Sequence, residues 1–153
     1  MTDMPLLMHF IYSFISSIGF AIFLNAPKST LPACGLTGGV GWAIYYYIVR
    51  ISNNDLVANF FAAVCVSLLS EILARKLKQP AVVFVIPGII LLVPGLGMYN
   101  TMLYLVQNNY ALAVSKGADT LFIGCALSMG VLIITSLFRT INLIKTNKGV
   151  VSK

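Results

Sequence analysis

Acidic residues are scarce in this chain of 153 residues, with four Asp and Glu against ten Lys and Arg, and histidine and tryptophan occur once each. With His9 as the sole imidazole, a metal centre built from histidines is excluded. The three cysteines, Cys34, Cys65 and Cys125, fall in separate apolar runs with no C-x-x-C spacing. They read as small buried apolar residues, not as a redox or metal set. Charged residues make up only 9% of the chain against 59% hydrophobic, too little polar surface to cover a soluble domain. There is no internal repeat, phosphate loop, nucleophile elbow, H-E-x-x-H motif or pair of intramembrane aspartates. An enzyme is therefore not expected, and no cofactor is called for.

What the chain has instead is long apolar runs and a mean hydropathy of +0.93. They extend over residues 5–24, 31–49, 56–74, 80–106 and 118–138, each near the roughly 20 residues that span a bilayer core. The expectation is an all-α polytopic membrane protein with five transmembrane helices, the fourth broken by Pro-Gly motifs. Residues 1–145 form a single transmembrane domain on this reading, and residues 146–153 form a cytoplasmic tail. The opening Met-Thr-Asp-Met-Pro lacks the basic flank of a secretory signal, so the first run is expected to be retained.

The net charge of +6 does not point to nucleic acid, because the basic residues gather at the ends of apolar runs and not on an amphipathic face. Their distribution gives orientation. With the N-terminus outside and five crossings, Lys28, Arg75, Lys76, Lys78, Arg139, Lys145, Lys148 and Lys153 fall on the cytoplasmic side, and only Arg50 and Lys116 fall outside. The expected location is the cell membrane, with the C-terminus in the cytoplasm.

Asn25-Ala26-Pro27 ends the first helix, since the residue before proline is pushed out of the α region and Asn bonds its own backbone readily. In the second run Gly35 and Gly39 have small-xxx-small spacing, and Gly38 and Gly41 widen the smooth face. That face serves either plain helix packing or a sliding surface between moving bundles. Trp42 and Tyr45-Tyr46-Tyr47 fit an interfacial aromatic belt, with substrate stacking as the alternative. Glu71 is the one carboxylate well inside the apolar pattern, four residues before Arg75. It reads either as an interfacial ion pair with Arg75 or as a group for proton coupling or gating. Asp119 fits a helix cap after Gly117-Ala118.

The run from Pro80 to Val106 is apolar enough for a membrane and badly built as a helix, interrupted at Pro87-Gly88 and again at Pro94-Gly95-Leu96-Gly97. Proline removes a donor and clashes with the preceding turn, so carbonyls are left open that hydrocarbon cannot satisfy. Broken helices of this kind form substrate or ion sites in secondary transporters. Gly95 is expected at a point of close backbone approach. Beyond it a helix restarts, and its first-turn amides together with Asn100 and Thr101 are placed to receive a carboxylate. The candidate substrate path is Pro87, Gly88, Pro94, Gly95, Gly97, Asn100 and Thr101.

Taken in order, Gly19-Phe20-Ala21-Ile22-Phe23-Leu24-Asn25-Ala26-Pro27-Lys28, Gly38-Gly39-Val40-Gly41-Trp42, Glu71-Ile72-Leu73-Ala74-Arg75 with Pro80, and Ile86-Pro87-Gly88 through Val93-Pro94-Gly95 with Met98-Tyr99 resemble the threonine/serine exporter family. The likeness covers nearly the whole chain and is specifically to the small, YjjB-like membrane subunit. Where many members have a further proline before Leu-Val-Pro-Gly, this chain has Leu91. The resemblance implies a secondary exporter of small carboxylate-bearing metabolites, threonine and serine first, acting with a larger YjjP-like membrane subunit. A related two-subunit system exports succinate, which makes dicarboxylate export the nearest alternative. A non-transporting scaffold for the partner is the reading from another class, and a higher oligomer is compatible with all of them.

Overall fold

A computed structural model describes residues 5–151, with side chains through residue 141 and at Ile144. Among the described residues there are helices and no strand. The order is α1 (Leu6–Phe23), a short 3-10 turn (Lys28–Thr30), α2 (Leu31–Ser52), α3 (Asp55–Leu77), α4 (Val82–Ile89), α5 (Gly95–Val106) and α6 (Tyr110–Val151). The expected all-α class holds. Asp3, Lys153 and the side chains of Lys145 and Lys148, which entered the charge reading, lie outside the described residues.

Helix ends follow from local chemistry. After α1, Asn25 turns left-handed at φ 57°, and the amides of Asn25 and Ala26 reach back to the carbonyls of Ile22 and Ala21. This double closure satisfies carbonyls that the helix end would leave bare. Among the described residues Asn53, Lys78 and Asn108 make the other left-handed turns, and no glycine has positive φ. Asn54 caps α3, its side-chain oxygen accepting from the amides of Leu56 and Val57 at 3.0 and 3.3 Å.

Helices α1, α2 and α3 pack as antiparallel neighbours, and the glycines of α2 let them close. A Cβ on Gly38 would collide with Ser17 of α1, one on Gly39 would lie 2.8 Å from Phe10, and one on Gly41 would collide with Val66 of α3. In this structure these glycines make close helix contacts. Helix α4 lies on α2 and α3, and α6 on α3 and α5. Most core side chains are small: Ala62, Ala63 and Val66 meet Leu92 and Leu127 in one cluster, and Ala21, Cys34 and Ala74 surround Phe84 in another. Cys34 is buried as expected, whereas Cys125 is exposed.

Among the described residues three helical segments are long and apolar enough to cross a membrane, Leu6–Phe23, Asp55–Leu77 and Tyr110–Ile141, where five were expected. The physical reason lies in composition for α2 and in length for the broken run. Four glycines, a threonine and three tyrosines dilute the apolar character of α2, although it has 22 residues. Helices α4 and α5 have 8 and 12 residues, or about 12 and 18 Å at 1.5 Å per residue, and neither spans a core of about 30 Å by itself. One further expectation changes. The last helix starts at Tyr110, so Gly117 and Asp119 lie inside it and Asp119 is no cap. The same helix runs on to Val151.

Candidate functional site

The break in the fourth run is real but confined to the second motif. Chain direction changes over residues 90–94, whereas Pro87 sits inside α4, buried together with Gly88. Pro87 lacks the N–H that would serve the carbonyl of Val83. The thiol of Cys34 points at that oxygen from α2 at 3.3 Å. Thr37 Oγ1 donates to the carbonyls of Cys34 and Phe84 at 2.8 and 3.2 Å, and Ser17 Oγ donates to those of Cys34 and Pro87 at 2.7 and 3.0 Å. The open backbone of α4 is thus satisfied by side chains of α1 and α2, and Pro87-Gly88 is a packing element. A Cβ on Gly88 would lie 2.7 Å from Val66.

Next to the second motif lies a cavity of about 790 Å³ at the end of the bundle where α2 turns into α3. The break supplies one wall through Leu91–Gly97 and Asn100. The facing wall brings His9 of α1, Trp42, Tyr45 and Tyr46 of α2, and Asp55 and Asn59 of α3. Lys116, Asp119 and Thr120 of α6 complete it. The charged groups are of both signs: Lys116 and Asp119 approach within 3.9 Å, and Asp55 accepts from the Tyr45 hydroxyl at 3.1 Å. A second space of about 690 Å³, an apolar groove between α5 and α6, holds Met98, Met102, Leu121 and Met129.

Pro94, Gly95, Gly97 and Asn100 are therefore brought together on the cavity, and Pro87, Gly88 and Thr101 are not. Thr101 Oγ1 donates to the carbonyl of Gly97 at 2.7 Å and its side chain lies on the apolar groove. Gly95 is not a close-approach position, since a Cβ there would have nothing within 4 Å. That role belongs to Gly97, whose Cβ would collide with Thr120. Glu71 and Arg75 are remote from the cavity lining, and no ion pair joins them among the described residues. The Arg75 guanidinium instead stands 4.7 Å from the centroid of the Phe138 ring. Of the aromatic cluster, Tyr47 is exposed as a belt residue would be, while Trp42, Tyr45 and Tyr46 face the cavity.

His9, Asp55, Asn59, Lys116 and Thr120 are the site residues that sequence reasoning passed over. Asn59 had a signal, being an amide within the apolar run that follows Leu56.

The family model described as Threonine/Serine exporter, ThrE matches residues 9–137. The chain belongs to the threonine/serine exporter family. Among relatives, it is 28% identical over 119 residues to a threonine/serine exporter of Corynebacterium glutamicum, covering 78% of this chain and 24% of that protein. An uncharacterized protein of Haemophilus influenzae is 26% identical over 104 residues, covering 68% of this chain and 35% of the relative. The chain thus spans only about a quarter to a third of the length of these relatives. No solved structure matches it. The matched residues of the family run from His9 on the cavity wall to Leu137 near the end of the described side chains, so both the break and the cavity lie within it.

Proposed function

We propose that the chain is the small membrane subunit of a secondary exporter for threonine and serine, and that the cavity beside the Pro94-Gly95 break is where substrate binds. The observation that carries this reading is the cavity itself. It holds about 790 Å³ against irregular backbone, with Lys116 and the first-turn amides of α5 on the side of a carboxylate and Asp55 and Asp119 on the side of an ammonium group. A zwitterion finds both signs there; a dicarboxylate meets two like charges. Family membership supports transport in place of catalysis.

The rest of the exporter comes from a larger YjjP-like membrane subunit. Support for this is the share of relatives' length that the chain covers, 24% in one case and 35% in another. The cell membrane is the location, with Lys78 on the cytoplasmic side and the α2–α3 turn outside, as the clustering of Arg75, Lys76 and Lys78 at one end of α3 indicates. Glu71, half-buried and without an ion pair among the described residues, is the carboxylate for coupling to a proton gradient.

Reconstitution decides the matter. In liposomes holding the chain with its partner, labelled threonine and serine should exchange by counterflow and succinate should not, and the chain alone should be inactive. Succinate flux in place of threonine flux would transfer the cavity to dicarboxylates, full transport by the chain alone would remove the partner, and no flux of any of them in the complex would favour the scaffold.

A further inference from the structure

Helix α5 is the element that the packing of this chain leaves uncovered. None of its residues is buried and it packs on α6, whereas α4 is seated on α1, α2 and α3. Side-chain contacts fix its height in the bundle. Helices α3 and α6 run in the same direction, since Gly130 meets Phe60 and Ala63 while Phe138 lies under the Arg75 guanidinium. Asp55 at the head of α3 shares the cavity wall with Thr120, and Gly97 of α5 meets that same threonine. The rest of α5 therefore stands past the end of α3 together with residues 110–119 of α6, Thr101 lying against Gly117, as an antiparallel hairpin about 15 Å tall at 1.5 Å per residue.

A projection of this kind would be polar if water surrounded it. Here Met102, Leu105, Val106, Tyr110, Leu112 and Val114 are exposed on it, and its only charges, Lys116 and Asp119, sit at its root. The apolar groove of about 690 Å³ starts on the hairpin at Met98 and Met102 and continues down α6 past Leu121 to Met129. Its three hydroxyls are spent on their own helices, Thr101, Thr120 and Ser128 donating to the carbonyls of Gly97, Lys116 and Gly124, so no hydroxyl proton is left for a polar solute. Gly124 lies on the floor of the groove, where a Cβ would have nothing within 4 Å, while Gly38, Gly41, Gly97 and Gly130 each press on a neighbouring helix. With Ser128 one turn further on, it gives α6 a smooth face that no helix of this chain fills among the described residues.

We infer that the groove and the outward face of the hairpin seat a membrane helix of the larger companion subunit, an apolar helix longer than the bilayer core with a large side chain over Gly124. The inference rests on the membrane-subunit reading above and gives it a contact surface. Two arguments select this occupant. Helix α3, with 23 residues or about 34 Å, fills a core of about 30 Å, so lipid chains cover the groove beside Leu121 and Met129 but end before Leu105 and Val106. One apolar face that runs from the core into the aqueous side needs polypeptide along its whole length. The matched part is 24% and 35% of the length of the two relatives, so most of each is further chain of the kind that could lie there.

The test is photocrosslinking in membranes that hold the chain with its larger YjjP-like subunit, each carrying its own tag. Benzoylphenylalanine in place of Met102 or Met129 should capture the larger subunit, and in place of Ile15, which is as exposed on α1, it should not. Gly124→Leu, which has room to fold, should lower the co-purified larger subunit about tenfold, and Gly19→Leu, where a Cβ likewise meets nothing within 4 Å, should leave it unchanged. If Gly124→Leu does not fold, the crosslinks at Met102 and Met129 decide. Capture of a second copy of this chain from the groove would make the face a self-association surface, capture of lipid alone would make it a bilayer face, and capture of the larger subunit at Ile15 alone would move the interface to α1. Each of these, or a full yield from folded Gly124→Leu, or an equal loss from both leucine variants, overturns the inference and leaves the exporter reading standing. A larger subunit that neither co-purifies with the wild-type chain nor crosslinks to any of the three positions overturns the two-subunit reading and the inference together.

Discussion

The thiol of Cys34 stands 3.3 Å from the carbonyl oxygen of Val83, the one oxygen of α4 whose helical donor is replaced by Pro87. A proline inside a helix leaves this problem, and here the neighbouring helix supplies a donor. The same device is repeated by Thr37 and Ser17 on the oxygens of Phe84 and Pro87. Helix α4 is therefore held to α1 and α2 by hydrogen bonds as well as by close packing, while the chain after Ile90 is free to turn into the cavity wall.

Ser17 gives the first prediction. It is fully buried and shares its hydroxyl between Cys34 and Pro87 carbonyls. Ser17→Ala should destabilise the protein by about 1–3 kcal/mol by leaving a buried carbonyl without a donor. Ser128→Ala serves as the control, because that exposed hydroxyl only bonds the Gly124 carbonyl one turn back. Thermal unfolding in detergent should show a lower midpoint for the first variant and none for the second.

Glycines in this fold separate into two kinds, and the second prediction exploits the difference. Gly88→Ala would place a Cβ 2.7 Å from Val66, which is itself buried, and should cost about 1–3 kcal/mol through overpacking. Gly95→Ala meets nothing within 4 Å and should leave the midpoint unchanged. Gly95→Leu should also fold, since it extends into open space on the cavity, yet it should reduce transport by filling that space. Retained flux in folded Gly95→Leu would show that the cavity is not on the path.

A third prediction concerns the polar end of α3. Arg75→Ala and Phe138→Leu should each cost about 0.5–1 kcal/mol and should couple in a double-mutant cycle, because the guanidinium lies over that ring. Glu71→Gln should leave stability unchanged and show no coupling with Arg75. In the reconstituted complex the same Glu71→Gln should abolish gradient-driven flux and preserve exchange; full gradient-driven flux in this variant would end the coupling role.

Orientation is the fourth. A single cysteine at Asn53, in protein freed of its own cysteines, should be labelled only from outside, and one at Lys78 only from the cytoplasm. Both positions are exposed and lie at opposite ends of α3. For Cys34 the replacement should be serine, which retains a donor toward Val83. The inverse labelling pattern would overturn the assignment.

Much of the fold was legible in the sequence because helix ends in this chain are chemically local. Asn25 with Pro27 and Asn53 with Asn54 stop and start helices by bonds to their own neighbourhood. Gly117 and Asp119 misled for the opposite reason. Gly117 resembles a breaker but sits inside α6 because a Cβ there would press on Thr101, and Asp119 resembles a cap but pairs with Lys116 a turn earlier. Pro87 resembled a break because its remedy, Cys34, lies 53 residues away in sequence. At the cavity, Pro94, Gly95, Gly97 and Asn100 were readable from the motif, whereas His9 and Asn59 come to the same lining only through the packing of α1 against α2 and α2 against α3.

The dilution of α2 by glycine and tyrosine bears on how the protein is made. Three of its glycines are shaped to α1 and a fourth to α3, and without those neighbours it would present bare backbone and phenol groups to lipid. On the membrane-subunit reading proposed above, its entry into the bilayer is a joint event, settled once α1 and α3 have both emerged from the ribosome and can shelter its two faces. In a glycosylation-acceptor assay of membrane integration, α2 alone should pass largely into the lumen, and the α1–α3 unit should retain it; efficient insertion of the isolated helix would show that it needs no such escort.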